Sequence, residues 1–166
     1  MAKKKQQKQN VITQGTVATN RRARYDYEIL ESFECGIALT GSEVKSIRQG
    51  KVVLKDSYAK IDNGEIWLLS CHISPYSFAN GADSHEPERA RKLLLHKYEI
   101  THIDTRLKQG PLTLIPLSIY LTRGKIKLQL GLAKGRRNYD KRHMIAERDA
   151  KKESARAAAM SRRVAI

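Results

Sequence analysis

The residues best able to do chemistry in this chain are its cations, and their placement points to binding a polyanion. Residues 1–24 hold seven Lys or Arg and no acid, and residues 134–166 hold eleven against four acids. Between them, residues 25–133 are nearly balanced at fourteen to thirteen, within a total net charge of +15. Each Lys or Arg that pairs with a phosphate releases condensed counterions, so such ends give salt-sensitive affinity for nucleic acid. Catalytic patterns are missing by comparison. There is no Gly-rich phosphate loop, no Asp/Glu cluster spaced for two metals, and no nucleophile–base pair at motif spacing. A binding protein without enzymatic activity, cofactor or small-molecule substrate is the expectation.

Metal and redox chemistry are equally unsupported by spacing. Cys35 and Cys71 stand far apart with no CxxC, and His72, His85, His96, His102 and His143 supply no finger-like partners. Two reduced, partly buried thiols in a reducing compartment are expected. Met1 to Gln9 is polar and Lys-rich with no apolar run after it, and no stretch approaches the ~20 apolar residues of a membrane span. The chain reads as cytosolic, with no membrane partner.

These cations need a scaffold, and 166 residues suffice for one with a real core. Residues 1–19 lack hydrophobic periodicity and read as a disordered basic arm, with order beginning near Asn20. Alternation through Tyr25, Tyr27, Ile29, Phe33, Ile37 and Leu39 predicts one long strand, with a phase break and bulge around Cys35-Gly36. Thr40 and Glu43 have capping-box spacing for a short helix that Gly50 stops. Asp62-Asn63-Gly64 joins two strands, 58–61 and 65–69, as a hairpin. After a loop from Ser74 to Ala82, a helix is expected from Glu86-Pro87-Glu88 through Leu93-Leu94-Leu95 to Gly110-Pro111. Strands over 112–121, with Pro116 marking an edge or bulge, and over 126–132 join through Arg123-Gly124.

Five or six short antiparallel strands with inserted helices suggest a small β-barrel of oligonucleotide-binding type with peripheral helices. A split sheet with helices on one face is the alternative. The expected division is an arm over 1–19, a barrel domain over 20–139 and a basic tail over 140–166. The tail is rich in helix formers, yet Met144, Ile145 and Met160 are its only large apolar residues before Val164. At 3.6 residues per turn, Lys141, Arg148, Lys152, Arg156 and Arg163 fall within about 80° of one another. Such a helix has a basic stripe and no core to pack on. It is solvated and fraying when free, and ordered when the stripe meets RNA.

Six segments, in order, resemble the SsrA-binding protein (small protein B) family. They are Asn20-Arg21-Arg22-Ala23-Arg24-Tyr25, the run 33–39, the run Gly41 to Arg48, Asp56-Ser57-Tyr58, Arg89 to Leu95, and Lys134 to Arg142. The resemblance implies an oligonucleotide-binding barrel that partners transfer-messenger RNA through its tRNA-like domain. It further implies delivery of that RNA to stalled ribosomes in trans-translation, with the tail entering the decoding site and empty mRNA channel. On the same ground, Asn20, Arg22, Arg24, Tyr25, Glu34, Lys92, Leu94, Lys134, Arg136, Arg137 and Tyr139 are the RNA-binding residues. Asp140, Lys141, Arg142, Arg148, Lys152 and Arg156 belong to the ribosome-binding tail. Glu34 is either an acceptor for RNA donors or a plain strand-surface acid, and Tyr139 either stacks on a base or packs on the barrel.

Overall fold

Alternating apolar positions build most of this chain into antiparallel strands, seen in a computed structural model that describes residues 11–79 and 81–164, the side chains of 163 and 164 excepted. In chain order the elements are β1 (Gly15–Thr19), α1 (Ala23–Asp26), β2 (Tyr27–Ile37), α2 (Gly41–Arg48), β3 (Val52–Val53), β4 (Tyr58–Asp62) and β5 (Glu65–Leu69). There follow β6 (His72–Ile73), a 3-10 turn (Gly81–Asp83), β7 (Arg91–Leu94), α3 (Lys97–Lys108), β8 (Leu112–Thr122), β9 (Lys125–Gly135) and α4 (Asn138–Val164).

β4, β5, β7, β2, β9 and β8 are hydrogen-bonded in that order, and β8 meets β4 again at Ala59↔Leu114. The ring therefore closes into a small antiparallel barrel, as expected, and the split sheet is set aside. Closure removes the open edges that would otherwise invite pairing with another chain. β1 lies along the upper part of β8, and β3 pairs with β6 in a separate ribbon. Leu128, Leu130 and Leu132 of β9 meet Ile66, Leu68, Leu93, Leu114 and Ile119 in the core. Asn63 and Gly64, at φ 49° and 73°, supply the left-handed pair of residues that a tight two-residue hairpin between β4 and β5 requires. Pro116 sits at a bulge, the register slipping between Pro116 and Ser118.

Several expectations are overturned. Residues 91–94 form β7, not the middle of a helix, and the helix is confined to α3. The reason is Arg91: it is fully buried beside buried Leu93, while Leu94 is exposed, so the strand's inward face begins with a charge. A hydropathy pattern assigns a cation to the outside, which hides a period of two. The long strand expected from Tyr25, β2, begins at Tyr27, because 23–26 make the short α1 that carries Tyr25. The irregularity in β2 lies between Ile29 and Glu31, where Leu30 is the extra residue, and not at Cys35-Gly36. Order reaches back before Asn20 into β1, within the arm expected to be unstructured; residues 1–10, with Lys3, Lys4, Lys5 and Lys8, lie outside the described residues. Both thiols are fully buried rather than partly so, and burial pushes Cys35 up to about 12 and Cys71 up to about 11.

α2 is fastened by charge. The Thr40 backbone N–H donates to Glu43 Oε2 at 2.8 Å, the half of the capping box that ties the helix start down. The same carboxylate is buried and accepts from Arg89 (2.6 and 2.8 Å) and Arg91 (2.8 Å). Arg91 also donates to the carbonyls of Cys71 and Pro87, so its guanidinium is spent inside the fold.

Candidate nucleic-acid interface

The expected RNA-binding residues fall into two groups at opposite ends of the β2–β9 ribbon. One end is the pair Tyr27↔Gly135 and the other is Gly36↔Lys127. Nine residues of strand at ~3.3 Å each put roughly 30 Å between them.

At the Gly36 end lies an open groove of about 810 Å³ that Glu34, Leu94, Tyr98, Lys125 and Lys127 help to line. Leu94 is 51% exposed, a large apolar side chain facing solvent beside charged groups. It lies across Gly36, where an added Cβ would stand 3.2 Å from Leu94 Cβ, so the glycine makes room for the leucine. Tyr120 donates its hydroxyl to Glu34 Oε2, and Lys127 Nζ stands 3.5 Å from Oε1. The Tyr120 hydrogen bond does most to hold the Glu34 carboxyl below the usual carboxylate range; slight desolvation opposes it and Lys127 adds to it. Tyr120 is correspondingly pushed up to about 12, by burial and by that bond. Glu34 is thus an oriented anion, suited to accept from an exocyclic amine or a 2′-hydroxyl. His96 and Tyr98 stack nearly parallel, 5.5 Å apart and 9° inclined, with Tyr98 72% exposed on the wall.

Sequence reasoning missed Lys127 and Tyr98. Lys127 was legible as an outward residue of an alternating strand, but only the β2–β9 register sets it beside Glu34. Tyr98 was hidden inside a helix that does not exist at that length. Lys92, on the same face of β7 as Leu94, is ion-paired to Glu65.

The other group gathers where α1, the end of β9 and the start of α4 meet. Asp26 organises it: one carboxylate oxygen takes Arg22 Nε at 3.0 Å, the other takes Lys141 Nζ at 3.2 Å, and its carbonyl accepts the Arg136 N–H at 2.9 Å. Arg24, Lys134 and Arg137 are exposed, and Tyr25 is half-buried. Lys134 to Arg137 line a cavity of about 500 Å³ with Glu28, Asp140, His143 and Glu147. Tyr139 is 70% exposed and sets an edge against His143 at 4.6 Å, so its ring leans on its own helix. Asn20 departs from its expected role. Its amide donates to the carbonyls of Leu54 and Pro116 and accepts from the Ala23 N–H, all inside the fold, so it positions α1 and offers no donor to a ligand.

α4 continues outward from this junction as a helix of 27 residues. Asp140 accepts from the Arg137 N–H at 3.3 Å in its first turn, and Lys141 is tied to Asp26. Arg142, Arg148, Lys152 and Arg156 are exposed, while the side chain of Arg163 lies outside the described residues.

A family model described as SmpB protein matches residues 17–160. The chain belongs to the SmpB family. Curated relatives named SsrA-binding protein bear this out. That of Symbiobacterium thermophilum is 55% identical over 142 residues, covering 85% of this chain and 89% of its own. That of Thermobifida fusca is 49% identical over 159 residues, covering 95% and 97%. A solved chain described under "tmRNA-SmpB: a journey to the center of the bacterial ribosome" is 47% identical, with a TM-score of 0.60, over 77% of this chain and 93% of that one. The SmpB match spans both ends of the β2–β9 ribbon and α4 as far as Met160.

Proposed function

We propose that this SmpB family member binds the tRNA-like domain of transfer-messenger RNA and delivers it to stalled ribosomes for trans-translation, acting in the cytoplasm by binding and without a reaction of its own. The observation that carries this is one nearly neutral barrel with two recognition surfaces and an exposed basic helix leading away from one of them. The Glu34–Leu94–Lys127 groove reads unstacked bases and 2′-hydroxyls. The Arg22–Arg24–Lys134–Arg137 junction takes phosphates. Residues 20–139 form the RNA-binding body. The tail over 140–166, with Arg142, Arg148, Lys152 and Arg156 along it, enters the decoding site and the empty mRNA channel.

Truncation tests this division. Protein ending before Ile145 should bind the tRNA-like domain within about threefold of the full chain, because the only lost residue that borders either surface is the acidic Glu147. It should fail to support tagging of a peptide stalled on a message without a stop codon in cell-free translation. Loss of RNA binding in that variant would refute the division. Equal affinity of the full chain for any structured RNA would refute the RNA assignment, and RNA cleavage by the pure protein with magnesium would refute a purely binding role.

A further inference from the structure

A second cleft opens on the other side of the α2 start from the Glu34 groove. Leu39 and Val44 border the groove, whereas Thr40, Gly41, Ser42 and Lys45 border the cleft, with Tyr76, Phe78 and His85 opposite. Its volume is about 540 Å³, within the ~300–1,000 Å³ of small-ligand sites and ample for one nucleotide. No residue of this cleft is among those the family resemblance assigns to RNA.

Its aromatic wall comes from Tyr76 and Phe78, on the loop that follows β6. Phe78 is 66% exposed and meets Tyr76 with centroids 5.6 Å apart and planes tilted by 58°. A tilted neighbour and that exposure leave a face of the Phe78 ring open. Lys45 Nζ stands 5.3 Å from the centre of the Tyr76 ring and has no carboxylate partner among the described residues. Arg89, also on the lining, is spent on Glu43. Lys51 Nζ lies 3.2 Å from Ser77 Oγ on the same loop, adding a cation nearby.

The floor is polar but satisfied. Ile73 offers only a carbonyl, so His85 Nε2–H donates to it at 3.0 Å. His85 Nδ1 pairs with the Ser42 hydroxyl at 2.9 Å, and Ser42 Oγ pairs in turn with the Thr40 hydroxyl at 3.2 Å. A floor whose donors and acceptors are already matched demands nothing of a ligand's edges. Asp83 also lines the cleft, disfavouring a second phosphate there. An open π face, a cation beside it and a self-satisfied floor are the parts of a stacking platform that tolerates sequence.

We infer that the Phe78–Lys45 cleft is a further RNA-binding site, taking one unstacked base of a single-stranded segment on Phe78 with the adjoining phosphate at Lys45. The inference rests on the proposed RNA-binding role and adds a site for single strands to it. The groove and the cleft both border the segment from Leu39 to Lys45, so the two sites are neighbours at the start of α2.

The test uses the full chain, with a short unstructured oligoribonucleotide of mixed sequence and, separately, the tRNA-like domain. Phe78→Leu keeps apolar bulk but loses the π face, and should weaken oligoribonucleotide binding about fivefold or more; Phe78→Tyr should stay within about twofold. Lys45→Gln should lower the salt slope of the same binding by about 0.7. Melting temperatures should not move, since Phe78 and Lys45 are exposed. If Phe78→Leu binds the oligoribonucleotide as the parent does, the base site is overturned and the ring belongs to an apolar docking face for protein. If the parent fails to bind the tRNA-like domain, the proposed function falls instead; unimpaired binding of that domain by Phe78→Leu confines any single-strand defect to the cleft.

Discussion

Glu34 illustrates how a single acidic residue can serve a polyanion. Tyr120 occupies one of its oxygens and Lys127 approaches the other, so the carboxylate is ionised, aimed and partly neutralised. Replacing it with Ala should weaken binding of the tRNA-like domain by about five- to thirtyfold, on the order of the 1–2 kcal/mol of a charge-assisted hydrogen bond. Thermal melting should stay nearly unchanged, because Glu34 is exposed. A large fall in melting temperature would instead make Glu34 a structural residue of the strand. Lys127→Ala should reproduce the binding defect, and the double variant should fall short of additivity because the two side chains share one contact. Asn20 is the contrasting case: its amide looks available in sequence and is consumed within the fold.

Elements are held together chiefly by apolar packing, but α2 is joined to β7 through Glu43 and Arg91, both fully buried. Burial raises the Glu43 carboxyl, yet Arg89, the Thr40 N–H and Arg91 together more than offset it and hold it at about 2, against an ordinary value of 4.5. Folding therefore favours the ionised form. Its contribution is complete above about pH 4.5 and declines as pH falls toward about 2. Glu43→Gln leaves Arg91 with an uncompensated buried charge and should cost roughly 3–5 kcal/mol at neutral pH. Denaturant unfolding across pH 2–7 would show it, and the variant should lose stability less steeply with acid than the parent. An unchanged acid limb would refute this.

At the scale of the molecule, charge is segregated along the chain: a nearly neutral ring carries, at one junction, Arg22 and Arg24 from α1 and its N-terminal cap and Lys134, Arg137 and Lys141 from the C-terminal side. Each exposed cation that meets a phosphate contributes about 0.9 to the salt slope of duplex binding. Replacing Arg24, Lys134 and Arg137 together by Gln should lower the slope for the tRNA-like domain by about 2–3, with affinity falling most at low salt. Truncation before Ile145 should leave that slope nearly intact. The reverse pattern would place the phosphate contacts on the tail.

Local patterns in the sequence determined much of this protein. The Asn63-Gly64 and Arg123-Gly124 hairpins, the Thr40–Glu43 cap, the alternation of β9 and the basic ends all follow from short-range chemistry, and each is visible in the residues themselves. Long-range pairing decided the rest. β7 was unreadable because Arg91 faces inward, and a buried cation makes sense only once Glu43, 48 positions away, is known to meet it. The short β3 and β6 carry too few residues to show a period. Glu34, Leu94 and Lys127 form one groove because the strand register of a closed barrel brings them together. Charge is a property of composition, whereas a site depends on which residues closure makes neighbours.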